Sequence, residues 1–269
     1  MQLLKLLLKP ITLLKIIFKL MTLSNNKNTD SLNFNDIAFL SYLGLKIFMK
    51  DDKPFFDTSY IPETRYLEDN WKTIKEELLV LLNEQDKIPS FEELDKGQRK
   101  LTVDGRWKTF FLQIYGDYIE SNCAKCPKTA EILRKVPGIW TAMFSILEGH
   151  KHLPKHVGQF KGFLRYHLGL VVPSGKQSRI VVNNQTRYWE EGKGLLFDDM
   201  YEHEVWNDSD SHRIILFLDI ERPLPYIWLQ TLNRKVIETL KKTSYVQEVI
   251  KKVKAYPSSV LKTDLKDLF

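Results

Sequence analysis

The sequence predicts a mainly β protein with flanking helices, and three observations carry this. Segment 163–172 (FLRYHLGLVV) alternates with period two, putting Leu164, Tyr166, Leu168 and Leu170 on one face and Arg165, His167 and Gly169 on the other. Segment 212–219 (HRIILFLD) alternates as well, with Arg213, Ile215 and Phe217 on one face. Between 203–206 and 212–219 lies NDSDS (207–211), a strong turn, so the two segments read as a hairpin that brings His203 near Arg213. At 269 residues the chain suits one β-barrel domain with helical additions and a sizeable core.

The elements follow in order. Segment 1–23 (MQLLKLLLKPITLLKIIFKLMTL) is mostly Leu and Ile, with lysines at 5, 9, 15 and 19. On a helical wheel these lysines fall within roughly 120°, leaving a broad apolar face. Pro10 breaks or kinks such a helix. No lysine-free run approaches the ~20 residues needed to span a bilayer, and no small-residue cleavage site follows. The segment therefore reads as an interfacial helix on an anionic membrane surface, the alternative being a helix that packs on the domain or in an oligomer. Residues 24–36 form a polar linker, and 37–49 is a second apolar segment that lies on the membrane or on the barrel. Lys53 to Asp57 and Ile61-Pro62 read as loop. Segment 66–85 reads as an amphipathic helix with Trp71, Ile74, Leu78 and Leu81 inward. A short helix opens near Pro127, strands dominate from 140 to 220, and two basic helices follow near 226–242 and 244–255. The expected domains are 1–23, a membrane-associated helix; 24–65, a linker with an apolar segment; 66–234, the main β-rich domain; and 235–269, a basic helical extension.

Arg165 and His167 on one strand face would be an awkward pair in a dry core, and they make sense facing a polar cavity that holds an anion. Widely spaced histidines on a β scaffold, with Arg213 just past the last of them, fit a non-haem iron site taking an oxo-acid cosubstrate. The residues alone also allow ordinary polar groups at the mouth of a barrel. The formal net charge of +6 admits a nucleic-acid reading, but no nucleic-acid module is present. The charge is uneven, because five lysines precede the first acidic residue, Asp30.

Five blocks carry a family resemblance: HVG at 156–158, LRYHLGLVVP at 164–173, WEEGK at 189–193, FDDMYEHEVW at 197–206 and HRIILFLDIERP at 212–223. They resemble the catalytic domain of the aspartyl/asparaginyl β-hydroxylases, iron(II)- and 2-oxoglutarate-dependent dioxygenases that include lipid A acyl-chain hydroxylases. The resemblance implies a double-stranded β-helix, the jelly-roll or cupin-like barrel. It implies His156 and His203 as iron ligands. It assigns Ser145 and Arg213 to the distal carboxylate of 2-oxoglutarate, and Arg165 and His167 to the neighbourhood of its metal-bound carboxylate. For Ser145 the residues by themselves favour a buried hydroxyl bonded within its own strand. The carboxylate of an HxD motif is replaced by Gly158, so the resemblance implies two protein ligands, with water or a nearby carboxylate completing the site. It also places Cys123 and Cys126, a CxxC that is a disulfide or two free thiols, near the active-site mouth.

The expected function is therefore hydroxylation of a methylene beside a carbonyl-type carbon, using Fe(II), 2-oxoglutarate and O2. The substrate is a peptide Asp/Asn side chain or C2 of a lipid acyl chain. Two cysteines in a chain this long fit a reducing compartment, so the expected location is peripheral on a membrane with the catalytic domain on the cytoplasmic side. The contrasting class is an inactive membrane-surface binding protein that retains the barrel, and formation of succinate separates the two.

Overall fold

The computed structural model describes residues 33–49, 51–84 and 88–256. The segment 1–23 and the end of the 235–269 extension lie outside the described residues. The chain forms two compact units.

The first unit comprises α1 (Phe34–Phe48), the loop 159–163 and the stretch from Arg222 into the C-terminal helices. Asn33 caps α1: its side chain accepts from the Asp36 amide while Asp36 reaches back to the Asn33 amide. One stripe of α1 (Phe34, Ile37, Ala38, Leu45) is buried. The Phe34 ring meets Tyr245 edge-on at 5.4 Å. Arg222 is fully buried, and its Nε donates to the Lys161 carbonyl at 2.8 Å.

The second unit holds the sheets. Its helices are α2 (Arg65–Asp69), α3 (Trp71–Glu84), α4 (Phe91–Leu94), α5 (Glu120–Cys123) and α6 (Pro127–Arg134). The two C-terminal helices are α7 (Ile227–Lys241) and α8 (Ser244–Ala255). The expected 66–85 helix is thus divided at Asn70, while Ile74, Leu78 and Leu81 are buried as expected and Trp71 only partly. The loop expected at 53–57 contains a two-residue strand, β1 (Phe55–Phe56). The remaining strands are β2 (Trp107–Ile114), β3 (Asp117–Tyr118), β4 (Ile139–Leu147), β5 (Lys151–His156), β6 (Phe163–Val171), β7 (Ser178–Val182), β8 (Gln185–Tyr188), β9 (Gly194–Phe197), β10 (His203–Asn207) and β11 (Arg213–Glu221).

A seven-stranded sheet runs β1-β9-β6-β11-β4-β2-β3 and a four-stranded sheet runs β5-β10-β7-β8. This is the expected mainly β jelly-roll. One face of the large sheet (Leu164, Tyr166, Leu168, Leu170, Ile214, Leu216, Leu218, Ala142, Phe144, Ile146) packs with Leu67, Ile74, Leu78 and Leu133 of the helices in a single core. By the period-two rule the opposite face of the same strands looks into the barrel, and it carries Ser145, Arg165, His167 and Arg213. The 163–172 and 212–219 alternations hold residue for residue.

The expected hairpin does not form. β10 pairs with β5 and β7 in the small sheet, while β11 pairs with β4 in the large one. Turn 207–211 carries the chain from one sheet to the other. The reason lies in burial: β11 is covered on both faces and β10 on only one. β11 therefore takes a central position in the covered sheet. Asn207 fixes the crossing, with its buried amide donating to the carbonyls of Leu147 (3.1 Å), Glu148 (3.0 Å) and Ser211 (2.8 Å). Gly149 is required beside it, since a Cβ there would lie 2.5 Å from the Ser209 carbonyl.

The cysteines are also placed differently from expectation. Cys123 and Cys126 are free thiols buried in the helix-side core, away from the barrel interior. The Cys123 thiol faces the Leu112 carbonyl at 3.3 Å, and burial pushes the Cys126 thiol up to about 12. These are inert, core-filling groups.

Candidate active site

His156 ends β5 and His203 begins β10, and the register sets them directly opposite each other. Their ring centroids are 4.1 Å apart. Each ring is oriented by its own chain: Nδ1 of His156 bonds the Pro154 carbonyl at 2.7 Å and Nδ1 of His203 bonds the Tyr201 carbonyl at 2.9 Å. A carbonyl accepts only, so each Nδ1 carries the proton and each Nε2 presents a lone pair. Burial lowers the pKa of both, that of His203 to about 3 with the His156 charge as the next cause. Both imidazoles are therefore held neutral, as metal ligands must be.

Gly158 follows His156 by two residues, and its amide donates to the Asp199 carbonyl at 2.7 Å. A Cβ on residue 158 would lie 2.2 Å from Oδ2 of Asp199. The Asp199 carboxylate thus fills the space where a side chain at 158 would begin. The sequence did not single out Asp199. Gly158 signalled a carboxylate to be supplied from elsewhere, but Asp198, Asp199, Glu202 and Glu204 all stand within five residues of His203. The structure separates the first two: Asp198 accepts from the Met200 amide within the turn, and Asp199 faces the site.

Arg165 answers to Asp199. Its Nη2 lies 3.0 Å from Asp199 and 3.0 Å from Asp219, and its guanidinium sits over the Phe217 ring at 4.5 Å. Burial opposes its charge, but the two carboxylates outweigh it and raise the pKa. The anion that Arg165 was expected to face is supplied by the protein, in a chain Asp199–Arg165–Asp219.

Deeper in the barrel the charges are not answered. Arg213 is buried, Trp189 lies under it at 4.7 Å, its Nε has no acceptor, and among the described residues no carboxylate stands against it. Burial alone lowers its pKa to about 9. His167 is buried with neither ring nitrogen bonded, and burial, followed by the charges of Arg213, Arg165 and His203, pushes its pKa well below the usual range. The indole N–H of buried Trp189 is unpartnered too, and its ring stacks with His167 at 6.0 Å. Ser145 accepts from the Trp107 indole at 2.9 Å rather than bonding within its own strand, which leaves its hydroxyl proton to donate. Register pairs Ser145 with Ile215, on the same face as Arg213 and two residues further along β11.

A buried cation with no anion and several orphaned polar atoms is costly in an isolated fold. The arrangement suits a carboxylate-bearing small molecule whose other end reaches the histidine pair. Among the described residues no cluster of three His, Cys, Asp or Glu stands ready for a metal. The two histidines, with open positions for an oxygen-rich ligand, nevertheless fit iron(II), and the orphaned Arg213, His167 and Trp189 fit the acid.

A family profile described as Aspartyl/Asparaginyl beta-hydroxylase matches residues 68–223. An ornithine lipid ester-linked acyl 2-hydroxylase from Rhizobium tropici is 42% identical over 189 residues, covering 70% of this chain and 67% of that protein. The human aspartyl/asparaginyl beta-hydroxylase is 36% identical over 172 residues, which cover 62% of this chain and 22% of that protein. A solved 2OG-Fe(II) oxygenase family oxidoreductase from Burkholderia pseudomallei aligns over 44% of this chain and 66% of that one, at 10% identity and a TM-score of 0.33.

Proposed function

The chain belongs to the aspartyl/asparaginyl beta-hydroxylase family, and from that premise we propose that it hydroxylates C2 of a fatty acyl chain on a lipid, with iron(II), 2-oxoglutarate and dioxygen. The observation that carries the reaction is the unanswered Arg213 beside His167 and Trp189, in the same barrel as a pair of neutral, carbonyl-oriented histidines. Acyl lipid is favoured over peptide by the extent of the likeness: 67% of the Rhizobium tropici lipid hydroxylase is covered, against 22% of the human peptide-type relative.

In this reading His156 and His203 hold the metal through Nε2. When bound, iron, 2-oxoglutarate and dioxygen supply the oxidation that turns C–H into C–OH while the cosubstrate becomes succinate and carbon dioxide. The protein's part is positioning and exclusion of water. Arg213 and the Ser145 hydroxyl grip the distal carboxylate. His167 and the Trp189 indole line the cradle and offer hydrogen bonds without adding charge. Arg165 holds Asp199 in place, and the Asp199 carboxylate occupies the space where a side chain of residue 158 would begin.

The test is turnover of 2-oxoglutarate by purified protein, with mass spectrometry of acyl lipids and of Asp/Asn peptides for a gain of one oxygen. Iron-dependent succinate with an oxygenated acyl chain supports the proposal. An oxygenated peptide instead moves the substrate, and absence of succinate points to the inactive binding protein.

Arg213→Ala or Arg213→Lys is expected to weaken 2-oxoglutarate more than iron. A charge-assisted contact is worth roughly 1.5–3 kcal/mol, so the concentration for half-maximal turnover should rise about tenfold or more. An unchanged cosubstrate dependence would show that Arg213 serves elsewhere.

The membrane partner remains part of the proposal. Among the described residues no helix is long and apolar enough to cross a bilayer. The lysine-striped segment 1–23 supports a peripheral anchor on an anionic surface, and two free thiols suit a catalytic unit on the cytoplasmic side. Each lysine near such a surface contributes about 1 kcal/mol. Deleting 1–23 should therefore lower flotation with anionic vesicles and make what remains less sensitive to salt, while succinate formation persists. Equal flotation of both proteins would remove the anchor.

A further inference from the structure

The first unit carries an apolar surface that neither the barrel chemistry nor segment 1–23 explains. α1 is apolar on two faces. One is buried; the other runs Phe39, Leu43, Ile47 at i, i+4, i+8, with Phe39 58% exposed and Ile47 38%. The next residue, Phe48, meets Trp228 edge-on at 5.2 Å and Tyr226 at 6.5 Å, and the Tyr226 and Trp228 rings stack at 6.1 Å. Between them Ile227 is 82% exposed at the start of α7. A contiguous apolar surface of this kind on a soluble unit marks a binding site.

We propose that this surface is a second membrane contact, with Phe39, Ile47, Tyr226, Ile227 and Trp228 seated in the headgroup region of an anionic bilayer. The residue types fit, since Trp and Tyr prefer that boundary, where a ring is buried and its polar tip stays wet. Charge selects the occupant. No acidic residue lies between Asp36 and Asp51 or between Glu221 and Glu238, and these two segments carry Lys46, Lys50, Arg222, Arg234 and Lys235. Of these, Lys46, Arg234 and Lys235 are exposed and give the surface its cations, while Arg222 is buried. A second copy of the chain would bring like charge to it. So would segment 1–23, which holds four lysines and no acid. Anionic headgroups complement it. This rests on the membrane partner proposed above and not on the identity of the hydroxylated substrate.

The experiment uses the full chain with phosphatidylcholine vesicles, with and without phosphatidylglycerol. Ile227→Glu and Phe39→Glu should each weaken binding to the anionic vesicles about tenfold without changing the thermal midpoint or succinate formation. Because 1–23 adds affinity of its own, a local readout accompanies this: quenching of tryptophan fluorescence by lipids brominated in the acyl chain. Trp228→Phe should remove a distinct part of the quenching. Quenching equal in wild type and Trp228→Phe, or vesicle affinity unmoved by both glutamate variants, would overturn the proposal. A concentration-dependent dimer abolished by Ile227→Glu, with vesicle binding intact, would also overturn it in favour of a self-association surface. Loss of acyl hydroxylation in the preceding assay leaves these outcomes untouched, so the two readings fail separately.

Discussion

His203→Ala is expected to abolish iron-dependent succinate formation while leaving the barrel folded. His203 is one of two imidazoles with a free Nε2 at the β5/β10 end of the small sheet, and its ring is fully covered. With His156 and His203 as the two proposed protein ligands there is no redundancy. Losing even an outer partner of a metal site costs about 10–100-fold in affinity or activity, so losing a ligand should cost more than ~100-fold. The fold should survive, because His203 contributes its backbone pairs with β5 and β7 whatever its side chain, and truncating a buried ring of this size costs about 1–3 kcal/mol. His156→Ala should be as damaging to turnover and gentler on stability, since His156 is only half-buried. The measurements are iron content, succinate yield and thermal midpoint for each variant. Near-normal iron and succinate in either would remove that residue from the site.

The sequence made the chemistry of the strands legible and left their assembly obscure. Period two in 163–172 and 212–219 correctly assigned which side chains face the cavity, because a strand buried on a mixed interface must alternate. Ser145 could not be assigned that way, since its role depends on Trp107 of a neighbouring strand, 38 residues earlier. The hairpin failed for a related reason. A strong turn states that the chain reverses, not which sheet receives the next strand, and that choice was made by the two-sided burial of β11 and by Asn207 bonding to β4. The family resemblance implied His156 and His203 as a pair, and the register of β5 and β10 sets them opposite each other. Asp199 was not legible, because among four clustered carboxylates only the three-dimensional position beside Gly158 distinguishes it. Strand facing gave the direction of Arg165 but not the Asp199 and Asp219 carboxylates that stand beside it. Cys123 and Cys126 read as a mouth feature because a CxxC spacing carries no statement about which side of a sheet its helix covers.

Gly158→Asp, which would restore the carboxylate of the commoner metal triad, is expected to damage this enzyme rather than improve it. Residue 158 cannot retreat: its amide is bonded to the Asp199 carbonyl at 2.7 Å. Its new Cβ would lie 2.2 Å from Oδ2 and 2.3 Å from Cγ of Asp199. Overpacking of this kind costs about 1–3 kcal/mol, and a second carboxylate against the first adds like-charge repulsion. Asp199 cannot move freely either, because Arg165 holds it at 3.0 Å and is itself tied to Asp219. The single variant should therefore lose thermal stability and bind iron worse than wild type, with turnover down about 10–100-fold, the range seen when a supporting partner of a metal site is displaced. The second variant decides the cause. In Gly158→Asp/Asp199→Ala the obstructing atoms are gone and one carboxylate remains, so thermal midpoint and iron content should both recover relative to Gly158→Asp alone. Asp199→Ala by itself should loosen iron and leave Arg165 tied to Asp219 alone, without the steric penalty. Iron titration and thermal unfolding of the three proteins separate these effects. If Gly158→Asp alone were as stable as wild type and held iron more tightly, the Asp199 carboxylate would not occupy the vacant position, and the site would be completed from some other direction.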